Sequence, residues 1–321
     1  MSCLPVTLLP GVITPPPNSL LAGRYKSSNP TQLGEESTGL AVSRDSRLVA
    51  TGLRNGTVSI YDVQTRNRVA SLSSGQGRDD ISSIAFSPNG REIAIATAEG
   101  RVKVFNLQSG EERYNIVDAG SRPLVVFSNN GNVLFIGSGS GTLRMVDNRS
   151  GRIIAAEANT HPSGITSLTL SPDGRYLASG GGDGVVKLWS TSDITPVGSY
   201  QAHQEAVISL AFSPDGNQII SIGDKVVKSC NWQNKNCTNI ANSRDSLNSL
   251  AVASNGHIAF SEVSFLIKQD NPIFLQDLRN GQSLGTLLGH RDRIVALAYT
   301  PDSRYLISGS SDGTIIIWEV Q

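Results

Sequence analysis

Cysteine, histidine, aromatic side chains and net charge are all scarce in this sequence. Its 321 residues include three cysteines (Cys3, Cys230 and Cys237), four histidines, and 6% aromatics. The cysteine spacing matches no zinc pattern, and such low usage fits a reducing compartment. The 27 basic and 27 acidic side chains cancel. Bulk binding to nucleic acid or an anionic membrane needs a basic surplus, so neither is expected. There is no run of 18 apolar residues, which argues against a membrane-spanning helix. The apolar stretch from Cys3 to Ile13 is broken by Pro5, Pro10 and Gly11 and has no basic leader. It reads as neither a signal peptide nor a transit peptide. Helical periodicity is absent as well.

What the chain does have is glycine, 32 residues of it, much of it in a recurring turn. The turn reads Ser87-Pro-Asn-Gly90, Ser171-Pro-Asp-Gly174 and Ser213-Pro-Asp-Gly216. Weaker copies begin at Ser43, Ser128, Ala253 and Thr300, and successive copies lie 40 to 47 residues apart. A period in the low forties over seven copies signals a repeat architecture. Each copy follows one grammar. A short apolar strand comes first, such as Val207 to Phe212, then the Ser-Pro-Asp-Gly turn, then a second strand such as Tyr176 to Ser179. A second turn follows, at Asn55-Gly56, Glu99-Gly100, Asp183-Gly184 and Asp312-Gly313. We expect two-residue hairpins there, with both central residues at positive φ. A third strand and a more polar fourth complete the unit.

Each repeat is therefore a four-stranded antiparallel meander. Its first strands are apolar on both faces and must be covered on both sides. Seven such sheets packed radially do this, which makes the fold class all-β: a seven-bladed β-propeller. The last copy ends at its third strand, and Leu20 to Lys26 fits the place of the missing fourth. The expected organisation is a Pro-rich apolar arm over residues 1–19 and one propeller over 20–321.

The repeats resemble those of the WD-repeat family. The fourth carries His161, Ser179, Asp183 and Trp189, matching that family's hydrogen-bonded tetrad. The seventh carries His290, Ser308, Asp312 and Trp318. The fifth has His203, Ser221 and Asp224, with Cys230 in place of Trp. His-to-Ser separation is 18 in all three. The remaining copies are decayed, with Tyr61-Asp62, Phe105-Asn106, Val146-Asp147 and Gln276-Asp277 in the Trp-Asp slot. The sixth has an insertion around Val263 to Pro272. The resemblance implies that the terminal strand pairs with the last blade and closes the ring.

No constellation for catalysis is legible. The innermost strands carry Ser83, Ser167, Ser209, Ser249 and Ala296 among aliphatic residues, with no carboxylate pair. His161, His203 and His290 fall at tetrad positions, where a structural hydrogen bond outweighs metal ligation. The run Gly180 to Gly184 has the look of a phosphate cradle, but a strand follows it and no helix N-terminus faces an anion. Neither cofactor nor metal is expected.

The resulting expectation is a non-enzymatic platform for other proteins or peptides, monomeric by itself. The alternatives are a peptide or modified-residue reader at the channel mouth and, less favoured, a propeller hydrolase or lyase. The resemblance places partners on the face formed by the hairpin turns and the loops entering each first strand. There the chain offers Arg54, Arg78, Asp79, Asp80, Glu205, Arg291, Asp292 and Arg293. Arginine suits interfaces because its planar fork binds carboxylates bidentately. Cys230 and Cys237 should sit opposite each other across a hairpin near Gln233-Asn234, within reach of a disulfide. Free thiols fit the cytoplasm, which is the default location. A bridge fits an exported protein.

Overall fold

The computed structural model describes residues 25–75, 79–263 and 271–320. Seven antiparallel sheets follow one another along the chain. The fourth blade is representative, with Ile165–Leu170 innermost, then Tyr176–Gly181 and Val185–Ser190, and Pro196–Gln201 outermost. The innermost strands lie side by side around the ring, and that of blade 7, Ile294–Tyr299, lies beside that of blade 1, Ser37–Val42. The second strand of each blade is almost wholly buried, as in Glu92–Thr97 and Tyr176–Gly181. The outermost strands are mostly exposed, as in Ile153–Glu157. Apolar cores lie between neighbouring blades. Blades 4 and 5 share one built from Ala178, Leu188, Val207, Phe212, Ile219 and Cys230.

The last strand, Thr314–Val320, pairs with Tyr25–Ser27, where Tyr25 stands opposite Val320, and with Thr31–Gln32, where Thr31 stands opposite Ile315. Of the expected span Leu20 to Lys26, residues 20–24 lie outside the described residues, as does the whole arm 1–19. In the sixth blade, residues 264–270 of the insertion also lie outside them, while Pro272 belongs to the strand Asn271–Asp277.

The Ser-Pro-Asp-Gly turn owes its persistence to two side chains. The Ser or Thr hydroxyl donates to the Asp or Asn two residues on and accepts the N–H five residues on, as in Ser171 with Asp173 and Tyr176. The carboxylate then accepts the next free N–H, that of Arg175. Six blades share this arrangement. Blade 6, with Ala253 in the serine position, keeps only the bond from the His257 N–H to Asn255.

The second turn corrects the sequence reading. Only its glycine has positive φ, at Gly56, Gly100, Gly184 and Gly313, while Asn55, Glu99, Asp183 and Asp312 do not. The glycine N–H returns to the carbonyl three residues back, as Gly184 to Gly181. That is a type I turn followed by a left-handed glycine, the three-residue form of hairpin. Blade 5 differs. Asp224 and Lys225 both have positive φ and join Gly223 directly to Val226, so its loop is one residue shorter.

Candidate functional site

The tetrad of blade 4 is complete. His161 is fully buried, its Nδ1 lies 3.1 Å from an Asp183 carboxylate oxygen, and its Nε2 lies 2.8 Å from Ser179 Oγ. Trp189 Nε1 donates to the same Ser179 oxygen at 2.9 Å. One proton assignment satisfies all three bonds: Nδ1–H donates to the carboxylate, and Nε2 accepts from the serine hydroxyl. Burial holds the His161 pKa below its ordinary value, against the pull of Asp183, so the ring is neutral. Gly181 is required here, because a Cβ at that position would come within 2.2 Å of both His161 and Asp183. Its neighbours face elsewhere, Gly180 toward Val207 and Leu210 and Gly182 toward Ser163.

The order Asp–His–Ser is that of a hydrolytic triad. Ser179 nevertheless has no exposed surface, and its oxygen is already held by an indole N–H. A nucleophile must reach a substrate carbon, and this one is sealed between strands. Blade 7 repeats the network: His290 lies 2.7 Å from Ser308 Oγ and 3.1 Å from Asp312, and Trp318 donates to Ser308 at 2.9 Å. Burial alone would raise the Asp312 carboxyl. Hydrogen bonds from His290, Thr314 and the Arg291 N–H outweigh it and hold the group well below the usual carboxylate range.

Blade 5 departs from this pattern. His203 Nε2 still meets Ser221 Oγ at 2.9 Å, but Asp224 stands 3.5 Å from Nδ1 without a hydrogen bond. Its oxygens accept the Gln204 and Glu205 N–H groups instead. The shorter hairpin is the cause, since Asp224 follows Ser221 by three positions where Asp183 follows Ser179 by four. Burial, reinforced by Lys228, pushes the His203 pKa down to about 4. Where Trp would complete the set, Cys230 stands directly opposite Cys237, and the two sulfurs are bonded at 2.08 Å.

The channel serines also have assigned partners. Ser83, Ser167 and Ser249 each accept an N–H from the next blade's innermost strand, at Val125, Leu210 and Leu297. Among the described residues, no three His, Cys, Asp or Glu side chains converge as a metal site. No helix among them is long and apolar enough to cross a membrane.

On blades 1, 2, 3, 4 and 7 the loop entering the first strand is hydrogen-bonded to the second turn, as Arg54 N to Glu36 O, Ala98 N to Asp80 O and Ser311 N to Arg293 O. These loops therefore share one face of the ring. Arg54, Asp79, Asp80, Arg291, Asp292 and Arg293 fall on the consecutive blades 7, 1 and 2. Glu205 lies apart on blade 5, and Arg78 lies outside the described residues. Arg54 is exposed and forms ion pairs with Glu36 at 2.7 Å and Asp80 at 3.8 Å. Between blades 7 and 1 a shallow concavity of about 340 Å³ is lined by Gln32, Glu35, Glu36 and Asp312. Sequence reasoning missed Glu35 and Glu36. Aligning the residues that precede each first strand would have placed Glu36 with Asp80 and Arg293.

Comparison with known proteins matches a family model described as WD domain, G-beta repeat, at residues 155–190, 194–230 and 281–319. A second model, Nucleolar protein 10-like, N-terminal domain, matches residues 18–118. Protein FIZZY-RELATED 3 of Arabidopsis thaliana is 25% identical over 85% of this chain and 56% of its own length. Cell division cycle 20.1, cofactor of APC complex, from the same plant, is 24% identical over 82% of this chain and 59% of its own length. WD repeat-containing protein srw1 of Schizosaccharomyces pombe is 23% identical over 75% of this chain and 44% of its own length. The chain thus spans about half the length of these relatives. Neither matching family model is described as an enzyme.

Proposed function

Starting from a chain that is built of WD repeats and folds as a seven-bladed propeller, we propose that it is a non-catalytic adaptor whose hairpin face binds other proteins. The carrying observation is the band of mixed charge over blades 7, 1 and 2, with Arg54, Arg291, Asp292 and Arg293 exposed and Asp79 and Asp80 half-buried, and with an acidic concavity at Glu35, Glu36 and Asp312. Exposed ion pairs add little to folding stability, typically about 0–1 kcal/mol. These charges are therefore free to serve a partner without cost to the fold. The relative named as a cofactor of a complex supports an adaptor role of the same general kind. The buried Ser179 and Ser308 hydroxyls argue against hydrolysis at the tetrads.

The test is affinity capture with the triple variant Arg54→Glu, Arg291→Glu, Arg293→Glu beside the parent. The variant should unfold within about 1 kcal/mol of the parent and lose the proteins that the parent retains. Retention of the same proteins by the folded variant would place the binding surface elsewhere.

A further inference from the structure

Blade 5 carries the one covalent link among the described residues, and its two ends differ in their surroundings. Cys230 is fully buried, in the apolar core between blades 4 and 5. Cys237 is exposed at the start of Cys237–Asn242, an outermost strand that pairs only with Val226–Asn231. We propose that Cys237 is a thiol–disulfide exchange site for a small anionic thiol of the glutathione class, with Cys230 as the buried thiol that resolves the adduct.

Three observations support this assignment. First, access is one-sided: an attacking thiolate can approach the Cys237 sulfur from solvent but not that of Cys230. Second, the turn that joins the two cysteines is basic: residues 231–236 carry Lys235 and no Asp or Glu. Lys235 is two residues from Cys237, and its carbonyl lies 3.8 Å from the Cys237 sulfur. Positive surroundings favour a thiolate at Cys237 and draw an anionic thiol toward it. Third, apolar burial disfavours the charged form of Cys230. A thiolate released there is driven to re-form a bond with the sulfur beside it.

The exchange balances without any further reagent. The incoming thiolate bonds to Cys237 Sγ, the Cys230–Cys237 bond breaks, and its electron pair leaves on Cys230, which takes a proton from water. In the return step Cys230 gives up that proton, attacks Cys237 Sγ and expels the small thiol as thiolate. Full reduction needs a second thiol, which attacks the adduct's outer sulfur, leaves as the small-molecule disulfide, and frees Cys237.

The experiment uses the full chain, first equilibrated with oxidised glutathione to close the bridge. It is then treated with reduced glutathione, acid-quenched, alkylated after unfolding and mapped by peptide mass. The expected result is a glutathione adduct on Cys237 with Cys230 alkylated. In Cys230→Ser, which lacks the resolving thiol, the Cys237 adduct formed by oxidised glutathione should accumulate about tenfold above the parent when both are mapped before reduced glutathione is added. The proposal is overturned by a bridge that oxidised glutathione fails to close, by one that resists reduced glutathione until denaturant is added, or by an adduct on Cys230. Equal adduct in Cys230→Ser and the parent would overturn the resolving role. Should that variant fail to fold, the mapping of the parent protein still decides the exchange site.

Discussion

Blades 4 and 5 stand side by side and meet the same demand in different ways. Each must hold its loop-borne histidine against its second and third strands. Blade 4 does so with four side chains in a closed hydrogen-bond circuit, from Asp183 through His161 and Ser179 to Trp189. Blade 5 has lost both ends of that circuit. Its shorter hairpin carries Asp224 away from His203, and Cys230 replaces the indole. What it has instead is a covalent link from the third strand to the outermost. The contrast teaches that the histidine–serine bond survives in both blades and is the common minimum, while the outer members can be exchanged for another fastening.

The comparison breaks most visibly at Trp189, which is nearly fully buried. Trp189→Ala removes a large side chain and leaves Ser179 without its indole donor, so unfolding should cost about 3–5 kcal/mol less. Chemical denaturation checks this. A loss below 1 kcal/mol would mean that the circuit in blade 4 is ornamental.

Reduction of the Cys230–Cys237 bridge should cost less. The link closes a loop of sequence separation 7, and loop-closure entropy for so short a segment amounts to roughly 2 kcal/mol. Denaturation of reduced against oxidised protein, with Cys230→Ala as a second reduced form, measures it. Equal stabilities would show that blade 5 needs no substitute for its tryptophan.

The two aspartates sharpen the contrast further. Asp183→Ala leaves His161 Nδ1 without an acceptor inside the protein and should cost roughly 1–3 kcal/mol. Asp224→Ala removes the acceptor of the Gln204 and Glu205 N–H groups and a 3.5 Å approach to His203, at roughly 1 kcal/mol. A reversed order would refute the assignment of the two circuits.

A pH effect follows from the histidines. Burial, aided by Lys228, lowers His203 from its ordinary 6.5 to about 4 in the folded protein. The unfolded chain then binds a proton that the folded chain refuses. The stability from neutral His203 is complete above pH 6.5, declines as the pH falls toward 4, and amounts to roughly 3 kcal/mol. Unfolding curves across that range should show the slope, and His203→Gln should flatten it. His161 is lowered in the same direction, so the variant retains part of the slope.

Much of this was legible in the sequence, because it is local. The seven turns, the strand order within each blade and the opposition of Cys230 to Cys237 follow from spacings shorter than one repeat, and the tetrads of blades 4 and 7 from the resemblance to the WD-repeat family. The missed features depend on geometry that residue type alone does not encode. Asp-Gly suggested two left-handed residues, whereas the glycine alone takes that conformation in blades 1, 2, 4 and 7. Asp224 matches the tetrad by residue type, yet the hairpin shorter by one residue keeps its carboxylate from bonding the histidine. Ser83, Ser167 and Ser249 of the innermost strands looked like channel lining, but they bind across blade boundaries to Val125, Leu210 and Leu297, contacts more than 40 residues away in sequence. The charges of the hairpin face could be named individually. Their grouping on three consecutive blades, with Glu205 apart, required the ring.

The claim that this face is the working surface is tested most directly by hydrogen exchange of the protein with and without a captured partner. The account predicts that protection on binding concentrates in residues 34–36, 54–56, 79–80 and 291–293, with the Ser-Pro-Asp-Gly turns unchanged. Protection confined to those turns, at Ser87, Ser171 and Ser213, would contradict it.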